Sequence, residues 1–433
     1  MPLDSIIAQI KKVIPRAAIR KLLPIWHWLW SAGSAIYYRL PGRKIIIVLV
    51  TGTKGKTTTT EIINAVLEGA GFRTALASTL RFKVFNDEVP NTYKMSVPGR
   101  GVLQKFLRRA VDEACDVAIM EMTSQAVPNF RHKFLFPNVL VFTNLEPEHI
   151  EAHDSYENYR EAKLQLATSI QKSPKNAKAI IANLDDKEGR KFVARSYSHD
   201  TADYSFSIKD EVSRIYDKGE LRFNYKNTRF TSPLQGLHNL KNILAAIKVA
   251  EFMRADMSQV KTVIGEFSKV RGRLESIDET NTIGFEAYVD YAHTPESLRA
   301  VYETFKNKVI IGVLGNAGGG RDTWKRPKMA QIAEQYCDHI ILTDEDPYDE
   351  DPQKIIDEMY TAITDKSIVE IEIDRRKAIR KGLEYAKELA QPDKDVVLLI
   401  TGKGTDPYIM RANGDREPWD DATVVHEETT KLN

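Results

Sequence analysis

Cysteine is almost missing. Cys115 and Cys337 are the only two in 433 residues, far apart and each followed by an aspartate. They make no C-x-x-C pair and no disulfide framework. That excludes the small secreted scaffolds and fits a reducing compartment, with both thiols expected in the core. Net charge is nearly missing too. The balance is +2 from 62 basic and 60 acidic side chains, so the overall charge calls for no nucleic acid or other polyanion. No apolar run of about 18 or more residues occurs, and no spanning helix is expected. Internal repeats and low-complexity tracts are absent as well. What remains is an ordinary globular composition, 42% apolar and 28% charged, in a chain long enough for two or three domains.

The most informative stretch runs from Val48 to Thr59. Residues 45–50 read as a buried strand, a glycine-rich turn follows, and residues 57–69 read as a helix. Such a strand, turn and helix cradle phosphate. Gly52 and Gly55 let the backbone approach an anion closely, Lys56 brings a point charge, Thr57 a hydroxyl for Mg²⁺, and the helix start a positive dipole end. The turn departs from G-x-x-x-x-G-K-[ST] at its first position, where Val50 stands.

Strands and helices then alternate. Residues 117–120, 139–143 and 179–183 read as short buried strands, and 99–113 and 156–171 as helices, which predicts a mainly parallel sheet with crossover helices. Residues 204–230 break the pattern with short alternating segments, a small antiparallel excursion, before a helix over 237–253. A polar, hinge-like stretch, Val270-Arg271-Gly272-Arg273, precedes a second alternating region. The expected class is therefore α/β. A helical segment occupies 1–42, a central P-loop domain 43–270 and a Rossmann-like α/β domain 271–433. The first segment is unusual. Residues 22–38 carry no formal charge but hold Trp26, Trp28, Trp30, Tyr37 and Tyr38, with basic residues on both flanks. It reads as a helical cap packed on the next domain, or as an interfacial helix lying on a membrane.

Acidic groups that could hold magnesium stand at strand ends. Glu121 follows the 117–120 strand; alone, such a residue is a solvated loop charge. Thr143 to His153 brings Glu146, Glu148, His149, Glu151 and His153 to another strand end. His149 and His153 are four apart, a spacing that suits zinc, but no cysteine or third histidine lies near, and Mg²⁺ with oxygen ligands fits better. Lys163, by itself, reads as a surface lysine. Asn239 and Asn242 lie three apart at a helix start, where amides read an adenine edge or cap the helix.

Taken together, these residues resemble the Mur ligase family, the ATP-dependent amide ligases of peptidoglycan precursor synthesis, over about residues 44–427. The resemblance implies that Gly52, Thr53, Lys54, Gly55, Lys56, Thr57 and Thr58 bind the phosphates of ATP. It gives Thr57 and Glu121 to one Mg²⁺, and His149 to a second, with Lys163 of Tyr159-x-x-Ala162-Lys163 present as a carbamate. Asn239 and Asn242 fall on the adenine side, and Arg273 at the domain hinge. Asp290 and His293, in Asp290-Tyr291-Ala292-His293-Thr294-Pro295, face the nucleotide. Likeness is greatest to the branch that adds the third amino acid, through the glycine-rich 315–322 segment and Lys325-Arg326-Pro327. There Ser96, Thr123, Ser124 and Arg131 would touch the acceptor, and Asp346, Tyr348, Gly402 and Asp406 the incoming amino acid.

Departures are informative. Where the members of that branch that add diaminopimelate have D-N-P-R, this chain has Glu345-Asp346-Pro347-Tyr348, which removes a bidentate partner for a distal carboxylate. The surrounding acids point to a cationic side chain, and Asp406 replaces a glutamate one methylene longer. About 50 residues precede the phosphate loop, roughly half a uridine-nucleotide-binding domain. The implied chemistry is acyl-phosphate ligation of an amino acid, expected to be a diamino acid, to a nucleotide-linked muramyl peptide. A monomer in the cytoplasm is expected, with peripheral membrane contact through residues 1–42 and no nucleic acid partner. The alternatives are a folylpolyglutamate- or poly-γ-glutamate-type ligase, or a non-catalytic ATP-binding scaffold.

Overall fold

A computed structural model describes residues 16–93, 95–99, 101–146, 155–218, 220–320, 322–391 and 393–432. The chain divides between Phe267 and Ser268 into two compact units.

The first unit starts with a long helix, α1 (Arg16–Tyr37). It is built on eight strands: β1 (Ile46–Thr51), β2 (Thr74–Ala77), β3 (Arg81–Val84), β4 (Asp87–Pro90), β5 (Val117–Met122), β6 (Val139–Phe142), β7 (Lys178–Ala182) and β8 (Thr201–Asp203). Their order is β4-β3-β2-β5-β1-β6-β7-β8. All neighbours from β2 to β8 pair in parallel, while β3 and β4 form an antiparallel hairpin at one edge. The central strands are buried along their length apart from Ile46 at the start of β1, which is why they read as continuous apolar runs rather than alternating ones. Helices α2 (Lys56–Gly69), α3 (Val102–Asp112) and α4 (Tyr156–Gln171) supply crossovers, and α5 (Leu237–Phe252) packs beside α2 on one face. One face of the sheet packs Val48, Val50 and Ile119 against Ile62, Ile63, Leu244 and Ile247. The other packs Ile47, Leu49 and Met120 against Phe106, Leu107 and Leu166. A three-stranded antiparallel sheet, β9 (Val212–Lys218), β10 (Glu220–Tyr225) and β11 (Thr228–Ser232), is the expected excursion, and α6 (Met257–Glu266) closes the unit.

Helix α1 packs by one narrow face. Ser34 and Ala35 are buried, Ser31 Oγ donates to the Phe130 carbonyl at 2.9 Å, and Trp28 meets the Phe134 ring edge-on. The packed-cap reading describes that face alone. Ile25, Trp26, Leu29, Trp30, Ile36 and Tyr37 are exposed.

The second unit carries β12 (Glu275–Ser276), β13 (Glu286–Asp290), β14 (Val309–Leu314), β15 (His339–Leu342), β16 (Val369–Ile371) and β17 (Val396–Thr401). They form one sheet in the order β12-β13-β17-β14-β15-β16, parallel except for β12. Helices α7 (Pro295–Thr304), α8 (Lys325–Tyr336), α9 (Pro352–Thr361), α10 (Arg375–Leu389) and α11 (Asp421–Leu432) cover it, and a ribbon of β18 (Tyr408–Met410) and β19 (Arg416–Pro418) stands apart. The α/β class and the alternation expected beyond Arg273 are what form. The β3–β4 hairpin and the β18–β19 ribbon are additions that the sequence pattern did not announce. Among the described residues no helix is long and apolar enough to cross a membrane.

Candidate active site

The turn after β1 is shaped by what surrounds it. Gly55 caps α2 at φ 75°, and a Cβ there would lie 2.5 Å from Asn242 Oδ1. A Cβ at Gly52 would lie 1.9 Å from Thr143 Oγ1, so glycine is required at both corners. The loop is tied to the strand-end segment after β6. Thr53 N and Lys54 N donate to Asn144 O and Oδ1 at 2.9 and 2.8 Å, and Thr143 Oγ1 donates to Lys54 O at 2.6 Å. Lys54 also pairs with Glu146 at 2.6 Å. From the other side, Thr59 Oγ1 donates to Asn242 Oδ1 at 3.1 Å, and Asn242 Nδ2 to Asn239 Oδ1 at 3.2 Å. The helix cap at α5 is Gly236; Asn242 ties α5 to α2 beside the loop, and Asn239 behind it donates to Gln235 O at 2.7 Å.

Two lysines converge on one carbonyl. Lys56 Nζ donates to Gly52 O at 3.0 Å and Thr53 O at 2.8 Å, and Lys163 Nζ donates to the same Gly52 oxygen. Lys163 is 2% exposed and lies over the Tyr159 ring at 4.9 Å, while Tyr159 Oη is 2.9 Å from Thr53 Oγ1. It is a lysine of the loop's interior, unlike the surface residue that its charged neighbours in sequence suggest.

Glu121 lies in register with Val50 on the adjacent strand and is 1% exposed. Thr79 holds both of its oxygens, the backbone N–H at 2.9 Å and the hydroxyl at 2.8 Å. The Thr79 hydroxyl also meets Ser96 Oγ at 2.5 Å, which links the carboxylate to the proposed acceptor segment. Ser124 is buried, and Arg131 donates to the Val97 carbonyl, with burial lowering its pKa. Glu61, near Glu121, is pushed up by burial although Arg81 pairs with it at 2.7 Å. Thr79, Asn144 and Tyr159 are the participants that sequence reasoning missed as site residues; Asn144 stood inside the 143–153 segment and Tyr159 inside Tyr159-x-x-Ala162-Lys163, while Thr79 carried no signal. His149 lies outside the described residues. Among those residues no cluster of three or more His, Cys, Asp and Glu side chains is arranged around a metal position. Thr57 and Glu121 are nonetheless hard oxygen donors, the set that Mg²⁺ takes with substrate phosphates and water.

In the second unit, the Arg273 guanidinium lies 4.4 Å over the Tyr291 ring. Asp290 accepts from Leu274 N at 2.7 Å, and burial raises its pKa against the pull of Arg273. His293 Nδ1 is 2.8 Å from Tyr291 O. The acids at 344–346 and 406 are largely paired. Asp346 Oδ1 accepts from Lys403 Nζ at 2.9 Å and Met410 N at 2.7 Å, Asp406 meets Lys403 at 3.0 Å, and Asp344 pairs with Arg411. Tyr348 sits at φ 53°, donates its N–H to Met410 O at 3.0 Å, and covers Gly319. A Cβ at Gly318 would lie 2.1 Å from Pro347 O, so the glycine-rich turn and the 345–348 segment are moulded on each other.

A P-loop α/β unit with a carboxylate in register beside its loop, followed by an open α/β unit, has the architecture of an ATP-dependent ligase. The Mur ligase middle domain matches residues 50–250, and the Mur ligase glutamate ligase domain matches 272–404. The chain belongs to the Mur ligase family, whose members use ATP and Mg²⁺. It is 35% identical over 389 residues to UDP-N-acetylmuramoyl-L-alanyl-D-glutamate--2,6-diaminopimelate ligase of Syntrophomonas wolfei, covering 87% of this chain and 76% of that one. A solved structure of a ligase of the same name aligns with TM-score 0.60 at 27% identity, over 90% of this chain and 79% of the other. Folylpolyglutamate synthase of Mycobacterium tuberculosis aligns with TM-score 0.69 at 17% identity, over 89% and 96%, a likeness of fold.

Proposed function

We propose that the chain joins the amino group of a diamino acid to the terminal carboxylate of a UDP-N-acetylmuramoyl-dipeptide, through an acyl phosphate made from ATP. The observation that carries this reading is Glu121, buried, oriented by Thr79 and in register with Val50, at the end of β1 where the phosphate loop begins. The diaminopimelate ligases among its relatives supply the acceptor and the class of amine.

An acceptor carboxylate oxygen attacks the γ-phosphorus, and ADP leaves. The neutral amine then attacks the acyl carbon; phosphate leaves with the C–O electrons, and the amine proton passes to a carboxylate or water. Gly52, Thr53, Lys54, Gly55 and Thr58 present the loop to the phosphates, and Lys56 neutralises them. Asn239 and Asn242 set the adenine side. Ser96, Thr123, Ser124 and Arg131 orient the acceptor. On the second unit, Arg273, Asp290 and His293 serve the nucleotide, and Asp346, Tyr348, Gly402 and Asp406 the incoming amine. Mg²⁺, when bound, supplies charge neutralisation at the phosphates. Thr57 and Glu121 would hold one ion, and His149 with a carbamate on Lys163 a second. Because Asp344, Asp346 and Asp406 are already paired with Arg411 and Lys403, the pocket offers less free negative charge than its sequence suggests. We therefore assign a diamino acid without ranking lysine or ornithine above diaminopimelate.

The test is phosphate release with UDP-N-acetylmuramoyl-L-alanyl-D-glutamate, run across meso-diaminopimelate, lysine, ornithine and glutamate, with a folate-plus-glutamate arm. Turnover that requires the muramyl acceptor and one diamino acid is expected. Turnover only with folate and glutamate, or none with any acceptor despite ATP binding, overturns the reading. The carbamate is tested by ¹³C NMR after ¹³C-bicarbonate: a carbamate resonance present in the native chain and absent from Lys163→Ala is expected, and no resonance refutes it. Sedimentation velocity tests the expected monomer.

A further inference from the structure

The ligase reading leaves α1 unused. Its outward faces present Leu23, Ile25, Trp26, Leu29, Trp30, Ile36 and Tyr37; Ile25 is 58% exposed, Leu29 54%, Ile36 70% and Tyr37 78%. Single exposed apolar residues are ordinary, but a contiguous set on one element marks an interaction surface. Trp26 and Trp30 stack edge to face at 5.9 Å, so the two indoles form one block on that surface. The charge around it is one-sided. Residues 1–44 hold eight Lys and Arg against Asp4 alone, in a chain whose net charge is +2, and no acid occurs between Asp4 and Glu61. A partner surface that is apolar inside and anionic outside matches both properties.

We propose that α1 lies in the interface of an anionic lipid bilayer, with its aromatic and aliphatic side chains at the boundary between headgroups and acyl chains and the flanking lysines and arginines at the headgroups. Tryptophan and tyrosine favour that depth over the bilayer centre, and basic residues near an anionic surface add to the attraction. The helix does not span: at 22 residues it is long enough but not apolar enough to cross, and Ser31, Ser34 and Ala35 are committed to the protein. The packing also fixes what the membrane would face. Ser31 bonds to Phe130 and Trp28 touches Phe134, so α1 rests on the segment that carries Arg131. A Cβ at Gly101, beyond Ser96 in the same loop, would lie 2.9 Å from Ser34 Cβ. Docking through α1 would therefore hold the acceptor segments of this unit close to the lipid surface, whatever acceptor they take.

The experiment is sedimentation of the full chain with vesicles of phosphatidylcholine, with and without phosphatidylglycerol, read together with tryptophan emission and analytical ultracentrifugation. Binding to the anionic vesicles alone, weakened by salt and accompanied by a blue shift, is expected. Trp26→Ser/Leu29→Ser/Trp30→Ser should lower the partition coefficient at least about tenfold, and Arg16→Glu/Arg20→Glu/Lys21→Glu should do the same, with ATP binding unchanged in both. Equal binding to both vesicle types overturns the anionic assignment. No vesicle binding, with concentration-dependent self-association that the serine variant abolishes, overturns the proposal in favour of a second copy of the chain. No vesicle binding by a monomer refutes it outright. None of these readouts depends on ligase turnover, so the two proposals fail separately.

Discussion

Glu345→Gln should stabilise the second unit, and only above mildly acidic pH. The Glu345 carboxyl is 5% exposed, and Oε2 has no hydrogen-bond partner among the described residues. Burial, with Asp346 adding to it, pushes its pKa from 4.5 up to about 7, against Lys325, Arg375 and Lys403. In the unfolded chain the same group ionises at its ordinary value. Between the two values the folded state therefore holds a proton that the unfolded state has released, and stability falls as pH rises. At about 1.4 kcal/mol per pKa step, the rise from 4.5 to about 7 corresponds to roughly 3 kcal/mol, fully lost above pH 7. The amide is neutral throughout, so the variant should match the native chain at about pH 4.5 and exceed it by up to about 3 kcal/mol at about pH 8. Hydrogen exchange along the buried strand β17 reports the opening of this unit alone. An equal stability difference at both pH values would refute the reasoning, because it would show that the substitution acts through packing and not through the proton.

Four further outcomes follow from the geometry. Lys56→Ala should lower ADP formation by about 10²–10³-fold at unchanged melting temperature, measured by coupled assay; near-native turnover would remove Lys56 from the chemistry. Thr79→Val takes one of the two hydrogen bonds from Glu121, and the Mg²⁺ concentration that half-saturates nucleotide binding should rise about tenfold in calorimetry, with the fold intact by circular dichroism. Gly318→Ala drives a methyl into Pro347 O and should cost about 1–3 kcal/mol in urea unfolding. Arg375→Met leaves the fully buried Asp421 without its cationic partner at 2.7 Å, with the Trp419 indole N–H still donating to it, and should cost about 3–5 kcal/mol; Arg375→Met/Asp421→Leu should recover most of that.

The parts of this molecule that were legible in its sequence are those whose physics is local. The phosphate loop needs two glycines and a Lys-Thr pair at fixed spacing, and the buried strands need apolar runs of the right length. Both can be read without knowing what lies across the fold. Strand β4, Asp87–Pro90, is exposed along its whole length, and β18 and β19 are three residues each, so neither hairpin leaves an apolar period to detect. Asp344 and Asp346 look unpaired in the sequence for a different reason. Their partners, Lys403 and Arg411, stand 57 and 67 residues further on, and only the fold shows that the charges are matched. Lys163 likewise carries ordinary charged neighbours in sequence, and its burial follows from where α4 meets the loop. Thr79 sits in a turn with no pattern of its own; its place beside Glu121 follows from the pairing of β2 with β5.

The bond between Thr59 and Asn242 joins residues 183 apart, and the same asparagine occupies the space against Gly55. The phosphate loop is therefore made early in synthesis and finished late. A nascent chain that has exposed β1 and α2 still lacks the side chain that braces the turn from α5. At about 5–20 residues per second, roughly 10–40 s separate the two events on the ribosome. Over that interval the chain carries the phosphate-loop sequence without the brace that holds its turn, so the braced loop comes with the completion of the first unit and not with the motif.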